Sequence, residues 1–283
     1  VRPDDRPFAD YLERKRHEQS YRLEGFTVHG GGYPGVLYGF YALLRRELNV
    51  GFHGITDEDV HFYRRGMPES DVAAPRVVLR GINGLFTLPE RLNDPSFLKR
   101  FMLFMARNQW NMILCHAKFW IHAEARHEIL DYAELCGIEW VTGGHSMELF
   151  LPESLFEEHP EYFGMRDGKR CLKGPVFTPD LGVTVISPIQ PCFSNPDTCS
   201  RIARNIADYL EKYPESDIFS LWPHDGANNF CDCPECRALT PYDQMLRLAE
   251  AVLRHAPRPI YLELLAYCAL LNVPPEPRRQ ERS

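Results

Sequence analysis

The stretch from Asp217 to Cys236 carries a dense run of side chains able to do chemistry. Ile218 to Trp222 is apolar and reads as a strand; Pro223 breaks it and releases His224, Asp225, Asn228 and Asn229 into a loop. A strand that hands a carboxylate and an imidazole to the loop at its C-terminal end is how a β/α barrel builds an active site. Asp225-Gly226 is also ordinary turn chemistry, so the stretch alone supports both readings.

The same stretch ends in Cys231-x-Cys233-x-x-Cys236. Three thiolates at this spacing could hold zinc with a fourth ligand such as His224. Two of them could instead form a disulfide in an exported protein, or all three could be free thiols. The expectation is no bound cofactor, with zinc at Cys231, Cys233 and Cys236 the lesser alternative, because no second Cys pair lies close in sequence. The chain has nine cysteines, so complete internal pairing is excluded. Gly30-Gly31-Gly32 has no Lys-Ser/Thr after it and is not read as a phosphate loop.

The elements that would position these groups change character along the chain. Residues 7–18 read as a short helix, Tyr21–Glu24 and Phe26–His29 as strands, and Gly35–Leu48 as a helix with apolar Val36, Tyr38, Leu43 and Leu44. Residues 1–50 are thus a small α+β domain. Residues 51–75 are charged, irregular and rich in turn residues, and read as a linker. From residue 76 to 273 strands alternate with helices, which implies a parallel sheet with right-handed crossovers. The strands are Val77–Leu85, Asn111–His116, Ile138–Val141 running on to Gly143-Gly144-His145, Ile218–Trp222 and Pro259–Tyr267. Asp94-Pro95, Asn195-Pro196 and Thr240-Pro241 mark helix starts. A long excursion, residues 146–189, holds enough aromatic residues to be folded. The Pro-, Arg- and Glu-rich tail, 274–283, reads as disordered. The fold class is α/β, a (β/α)8 barrel of the TIM type, truncated after about five strands.

With 39 acidic and 32 basic residues the net charge is −7, which argues against a nucleic-acid surface. The longest apolar run, Tyr261–Val273, is short and interrupted by Glu263, so no membrane span is expected. The chain starts at Val1 and not Met, so compartment is left open, as is oligomeric state.

The strand ends gather hydrogen-bonding groups: Arg80 and Asn83 from the first strand, His116 and Lys118 from the second, His145 from the third, His224 and Asp225 from the fourth, Glu263 and Tyr267 from the fifth. Such a rim, with tryptophans nearby in sequence, suits a sugar, which offers many hydroxyls and an apolar ring face. The expected sugar-binding set is Arg80, Asn83, Asn111, His116, Lys118, Trp222, His224, Asn228 and Tyr267, and the expected partner is a carbohydrate.

Several motifs carry a resemblance. Gly35-x-x-Tyr38-Gly39-x-x-x-Leu43-Leu44 resembles the small domain that precedes the barrel in glycoside hydrolase family 20 (β-hexosaminidases) and in α-glucuronidases. Gly144-His145, then Cys192-x-Ser194-Asn195-Pro196, then the strand ending at Asp225, is similar to the third- and fourth-strand order of family 20 enzymes. Gly144-His145-Ser146, His159-Pro160-Glu161-Tyr162-Phe163, Asp167-Gly168-Lys169-Arg170, Ser194-Asn195-Pro196, Asp225-Gly226, the cysteine cluster and Ala266-Tyr267 are similar to domain-of-unknown-function family 4838. The resemblance implies a barrel that hydrolyses O-glycosidic bonds in a glycan. Family 20 enzymes use an Asp that orients the 2-acetamido group and an adjacent Glu as acid. Asp225 falls at the Asp position, but Gly226 stands where the Glu would be. The expected catalytic residues are therefore Asp225, His145 and Glu263. Glu148 in the long excursion and strands beyond the chain are other sources of the acid. The alternatives are a non-catalytic carbohydrate-binding barrel and, less favoured, metal-dependent hydrolysis.

Overall fold

Strands and helices alternate from Gly81 onward, and the strands lie side by side in the order in which they occur. The computed structural model describes residues 6–64, 71–83, 89–178, 182–226, 228–267 and 270. The strands are Gly81–Asn83, Met112–His116, Glu139–Gly144, Ile218–Leu221 and Tyr261–Glu263. They form one five-stranded sheet whose spatial order follows the sequence without reversal. Neighbouring strands run parallel, with Gly81 opposite Met112, Phe219 opposite Thr142, and Ile218 opposite Tyr261. Among the described residues the first and fifth strands are its edges. The architecture is mixed α/β.

Parallel neighbours need long crossovers, and here each crossover contains a helix. Pro95–Arg107, Arg126–Leu135, Pro196–Lys212 and Pro241–His255 fill the four connections. The second, third and fourth strands are buried at nearly every position, as expected of strands covered on both faces. Three of the helices start with proline after a side-chain cap. Asp94 accepts from the Phe97 N–H, Asn195 from the Asp197 N–H, and Thr240 from the Asp243 N–H. A proline at the first helical position loses no hydrogen bond, since that N–H has no intrahelical partner. The apolar stripes are those of the sequence: Leu98, Phe101, Met102 and Met105; Ile202, Ile206 and Leu210; Met245, Leu248 and Val252. The last two helices pack against each other.

By spatial clustering the chain divides into two units, Val1–Cys115 with Phe119–Val141, and His116–Lys118 with Thr142–Ser283. In the first, helix Tyr33–Leu48 packs on antiparallel strands Tyr21–Glu24 and Thr27–Gly30 around Tyr21, Leu23, Tyr38 and Ala42. The triple glycine serves close approach: a Cβ at Gly31 would run into the carbonyl of His17.

Several elements differ from the sequence expectation. The described residues of the 51–75 linker are not uniformly irregular. Val50–Phe52 pairs with Val60–Phe62, and Val72–Ala73 adds a third strand beside Tyr21–Arg22. Pairings of two or three residues are too short to show alternation among charged neighbours. The first and fifth parallel strands are also shorter than expected, so Arg80 precedes its strand and Tyr267 lies four residues past the end of its own. The expected strand end at Leu85, residues 65–70 of the linker, residues 271–273 and the tail 274–283 lie outside the described residues. The excursion is folded into helix Met147–Phe150, two 3-10 turns and two hairpins, Met165–Arg166 with Lys169–Arg170 and Lys173–Thr178 with Val183–Pro188. Among the described residues no helix is long and apolar enough to cross a membrane.

Thr240 and Asp243 form a reciprocal cap, each side chain accepting from the other's N–H at 3.1 Å. Thr240→Ala is expected to cost about 1 kcal/mol of stability, read as a lower urea midpoint. An unchanged midpoint would contradict the cap.

Candidate functional site

The second strand ends at His116, and the third ends in two glycines with positive φ, Gly143 at 124° and Gly144 at 63°. These angles suit residues without a side chain. A Cβ on Gly144 would lie 2.7 Å from Cδ2 of His116. The bare backbone there lets three rings converge at C-terminal strand ends. His145 meets Trp222 edge to face at 5.0 Å between ring centres, and His116 lies 5.6 Å from His145 and 6.0 Å from Trp222. Ser146, fully buried, fixes the turn by donating to the Gly143 carbonyl at 2.8 Å and accepting from the Lys118 N–H at 3.2 Å.

His145 Nδ1 lies 2.7 Å from the Pro223 carbonyl. A carbonyl only accepts, so Nδ1 carries the proton of this bond. The opposite nitrogen, Nε2, faces Asp225 Oδ1 at 3.8 Å. Asp225 is 72% exposed, at the rim of a cleft of about 350 Å³. Lys118, Glu148 and His224 line the same cleft, with Leu151, Phe163 and Ile189 among its apolar walls. Lys118 Nζ sits 2.7 Å from Glu148 Oε1, and His224 Nδ1 3.9 Å from Glu148 Oε2.

Burial pushes the His116 imidazole down to about 4, helped by His145 and Lys118 and opposed by Glu148 and Asp225. Burial does the same to His224, down to about 4; Glu148 opposes it, while Lys118 and His145 add to it. Both imidazoles are neutral at pH 7, so each can donate through one nitrogen and accept through the other. Burial raises Glu148, but its hydrogen bond from Lys118 and the local backbone outweigh that and hold it below the usual carboxylate range.

The loop after the fourth strand is irregular, and buried side chains supply its hydrogen bonds. Gln190 Oε1 accepts from the His224 N–H and its Nε2 donates to the His224 carbonyl, both at 2.9 Å. Nε2 also reaches Asn229 Oδ1 at 3.0 Å, and Asn229 Nδ2 donates to the Pro188 carbonyl at 3.0 Å. Gly226 has φ 134°, a conformation that side-chain-bearing residues rarely adopt.

The structure thus gathers His116, Lys118, His145, Trp222, His224 and Asp225. Trp222 is buried, and its Nε1 donates to Glu263 Oε2 at 2.7 Å, so the indole supports the histidines and Glu263 anchors the indole. Arg80 and Asn111 precede the first and second strands, at the ends opposite the cluster. Arg80 donates to the carbonyls of Gln109 and Val77, and the Asn111 side chain holds the Arg80 N–H and the Val78 carbonyl. Nε and Nη1 of Arg80 and both side-chain polar atoms of Asn111 are engaged with main chain. Asn83 is exposed at its strand end. Asn228 adopts φ 57° and contacts the Phe177 carbonyl, and Tyr267 is half exposed. Neither lines the cleft. Gln190 is a positioning residue that the sequence did not single out, and no motif spacing links it to His224; Asn229 and Ser146 stood in the loop and in a motif without a positioning role assigned to them.

The sulfurs of Cys192, Cys231, Cys233 and Cys236 lie within 4.8 Å of one another. Cys192 stands in the fourth place that the sequence had offered to His224, whose ring is turned to Glu148 instead.

Residues 86–282 match the family model described as "Domain of unknown function (DUF4838)". No curated protein matches the chain.

Gln190→Leu would strand the part-buried N–H and carbonyl of His224. We expect a loss of about 2 kcal/mol, measured by denaturant unfolding; a loss under about 0.5 kcal/mol would contradict the latch. The pH dependence has a definite sign. With both imidazoles near 4 in the fold and about 6.5 unfolded, the unfolded chain binds more protons between those values. Stability is full above pH about 6.5 and falls as pH drops towards 4. The melting temperature should fall through that window, and less steeply in His116→Asn. Parallel curves for the two proteins would remove His116 as a source.

Proposed function

The chain belongs to the DUF4838 family, and from that premise we propose a glycoside hydrolase-like protein that cleaves O-glycosidic bonds in a glycan or oligosaccharide, with Asp225 as its central carboxylate. The observation that carries the reading is the single cleft that Asp225 and Glu148 line together with Lys118, His145 and His224. Its volume, about 350 Å³, is in the range of small-ligand sites. The neutral imidazole of His224, which donates and accepts, matches hydroxyl groups, and the apolar wall of Leu151, Phe163 and Ile189 matches the face of a sugar ring.

Cleaving a glycosidic bond builds positive charge on the ring, which a carboxylate stabilises. Asp225 takes that role, with His145 beside it and fixed by Pro223. Glu148 is the second carboxylate. Lys118 holds it ionised, which suits a base or nucleophile. Glu263 is committed to Trp222 and does not line the cleft, so Glu148 replaces it as the partner of Asp225. The likeness to family 20 supplies the substrate class and not the acid: the backbone at Gly226, with φ 134°, disfavours a glutamate there. Strands in unreversed order, with site residues at their C-terminal ends, support reading the sheet as part of a β/α barrel. A doubly wound sheet would reverse its order at the ligand crevice.

One observation favours a second reading, a carbohydrate-binding protein without turnover. The charge of Glu148 is already partnered by Lys118 at 2.7 Å, leaving Asp225 as the less engaged acid.

A panel of aryl glycosides, uronides included, separates the two. Turnover of any member excludes binding alone; glycan binding without turnover excludes the hydrolase. Asp225→Asn and Glu148→Gln should each lower kcat by about 100-fold or more. Wild-type rates in Asp225→Asn would end its assignment.

A further inference from the structure

Outside the cleft lies a second cluster, four cysteines from two separate stretches of chain. Cys192 precedes the helix Pro196–Lys212. Cys231, Cys233 and Cys236 follow the fourth strand, and Cys233 caps the short helix Pro234–Arg237. Each of the four is 3% exposed or less.

We infer that Cys192, Cys231, Cys233 and Cys236 form a closed four-thiolate site for a zinc ion. The sulfur geometry carries this. Four sulfurs each about 2.3 Å from a central zinc lie about 3.8 Å apart at tetrahedral corners. Cys192 Sγ is 3.7 Å from Cys233 Sγ and 3.9 Å from Cys236 Sγ, and no pair among the four exceeds 4.8 Å. A disulfide would bring one pair to about 2.0 Å and leave the other two sulfurs apart.

The surroundings suit thiolates, which accept hydrogen bonds, better than thiols packed as small apolar groups. The Met165 N–H points at Cys231 Sγ at 3.2 Å, and the Cys236 N–H at Cys233 Sγ at 3.4 Å. The Arg170 guanidinium stands 3.8 Å from Cys231 Sγ. Such outer groups orient ligands and offset the charge that four thiolates bring to one cation. Buried Cys199, by contrast, has the Phe193 carbonyl beside it, an acceptor that suits a neutral thiol.

With four protein ligands the site has no open position, so its role is structural. It ties the loop that carries His224 and Asp225 to the chain that leads into the helix Pro196–Lys212. Binding releases the four thiol protons and contributes directly to folding. The assignment is independent of the glycan reading, since none of these four cysteines lines the cleft.

The test is metal content of the full chain, purified under reducing conditions and dialysed against metal-free buffer. Mass spectrometry should find about one zinc per chain, released when a mercurial blocks the thiols. Cys192→Ser and Cys236→Ser should each retain less than about a tenth of it, while Cys171→Ser, outside the cluster, retains all. Should the serine variants fail to fold, the wild type still decides. Cobalt exchanged into it should give the thiolate-to-metal charge-transfer and tetrahedral ligand-field bands of a four-sulfur site. Zinc below about a tenth per chain overturns the proposal, whether the thiols are then free or oxidised in pairs. So does iron in place of zinc, or a cobalt spectrum lacking thiolate charge transfer.

Discussion

A side chain at Gly144 would lie 2.7 Å from the imidazole of His116, and the geometry beyond that contact depends on there being none. The third strand ends in bare backbone with positive φ, so the chain can turn beneath the His116 ring. That turn delivers His145 to Trp222, aims its Nδ1 at the Pro223 carbonyl and leaves Nε2 facing Asp225. Helix cover on the sheet sets where the strand ends lie. The missing Cβ sets which ring atoms meet there.

The loop that follows the fourth strand illustrates a general demand. Backbone polar groups buried outside regular structure must still find partners. Gln190, from the chain before helix Pro196–Lys212, and Asn229, within the loop, supply them from side chains, and both are fully buried. Rigidity here comes from hydrogen bonds to main chain, and it leaves Asp225 exposed on a braced support.

The sequence made some of this plain and hid the rest, for physical reasons. Helix starts were legible because capping is local: Asp94-Pro95, Asn195-Pro196 and Thr240-Pro241 each act within three residues. The buried strands Met112–His116 and Ile218–Leu221 were legible as apolar runs. The pairing of Val72–Ala73 with Tyr21–Arg22 was not, because two residues carry no period and their partner lies about fifty positions away. At the site, His116, His145, His224 and Asp225 stood out because each ends or follows a strand. Arg80 and Asn111 stood out for the same residue types, yet they precede their strands and bind main chain. Gln190, and the link of Cys192 to the other three cysteines, escaped notice because distance along the chain hides them, and only folding sets these residues beside His224 and Cys233.

The placement of Trp222 has a spectroscopic consequence. Its indole stands edge to face with two imidazoles, while its N–H is tethered to Glu263. A protonated imidazole accepts electrons from an excited indole and quenches its emission. The fluorescence difference between the native protein and one with phenylalanine at this position therefore reports the charge on the neighbouring rings, an intrinsic optical gauge that needs no added dye.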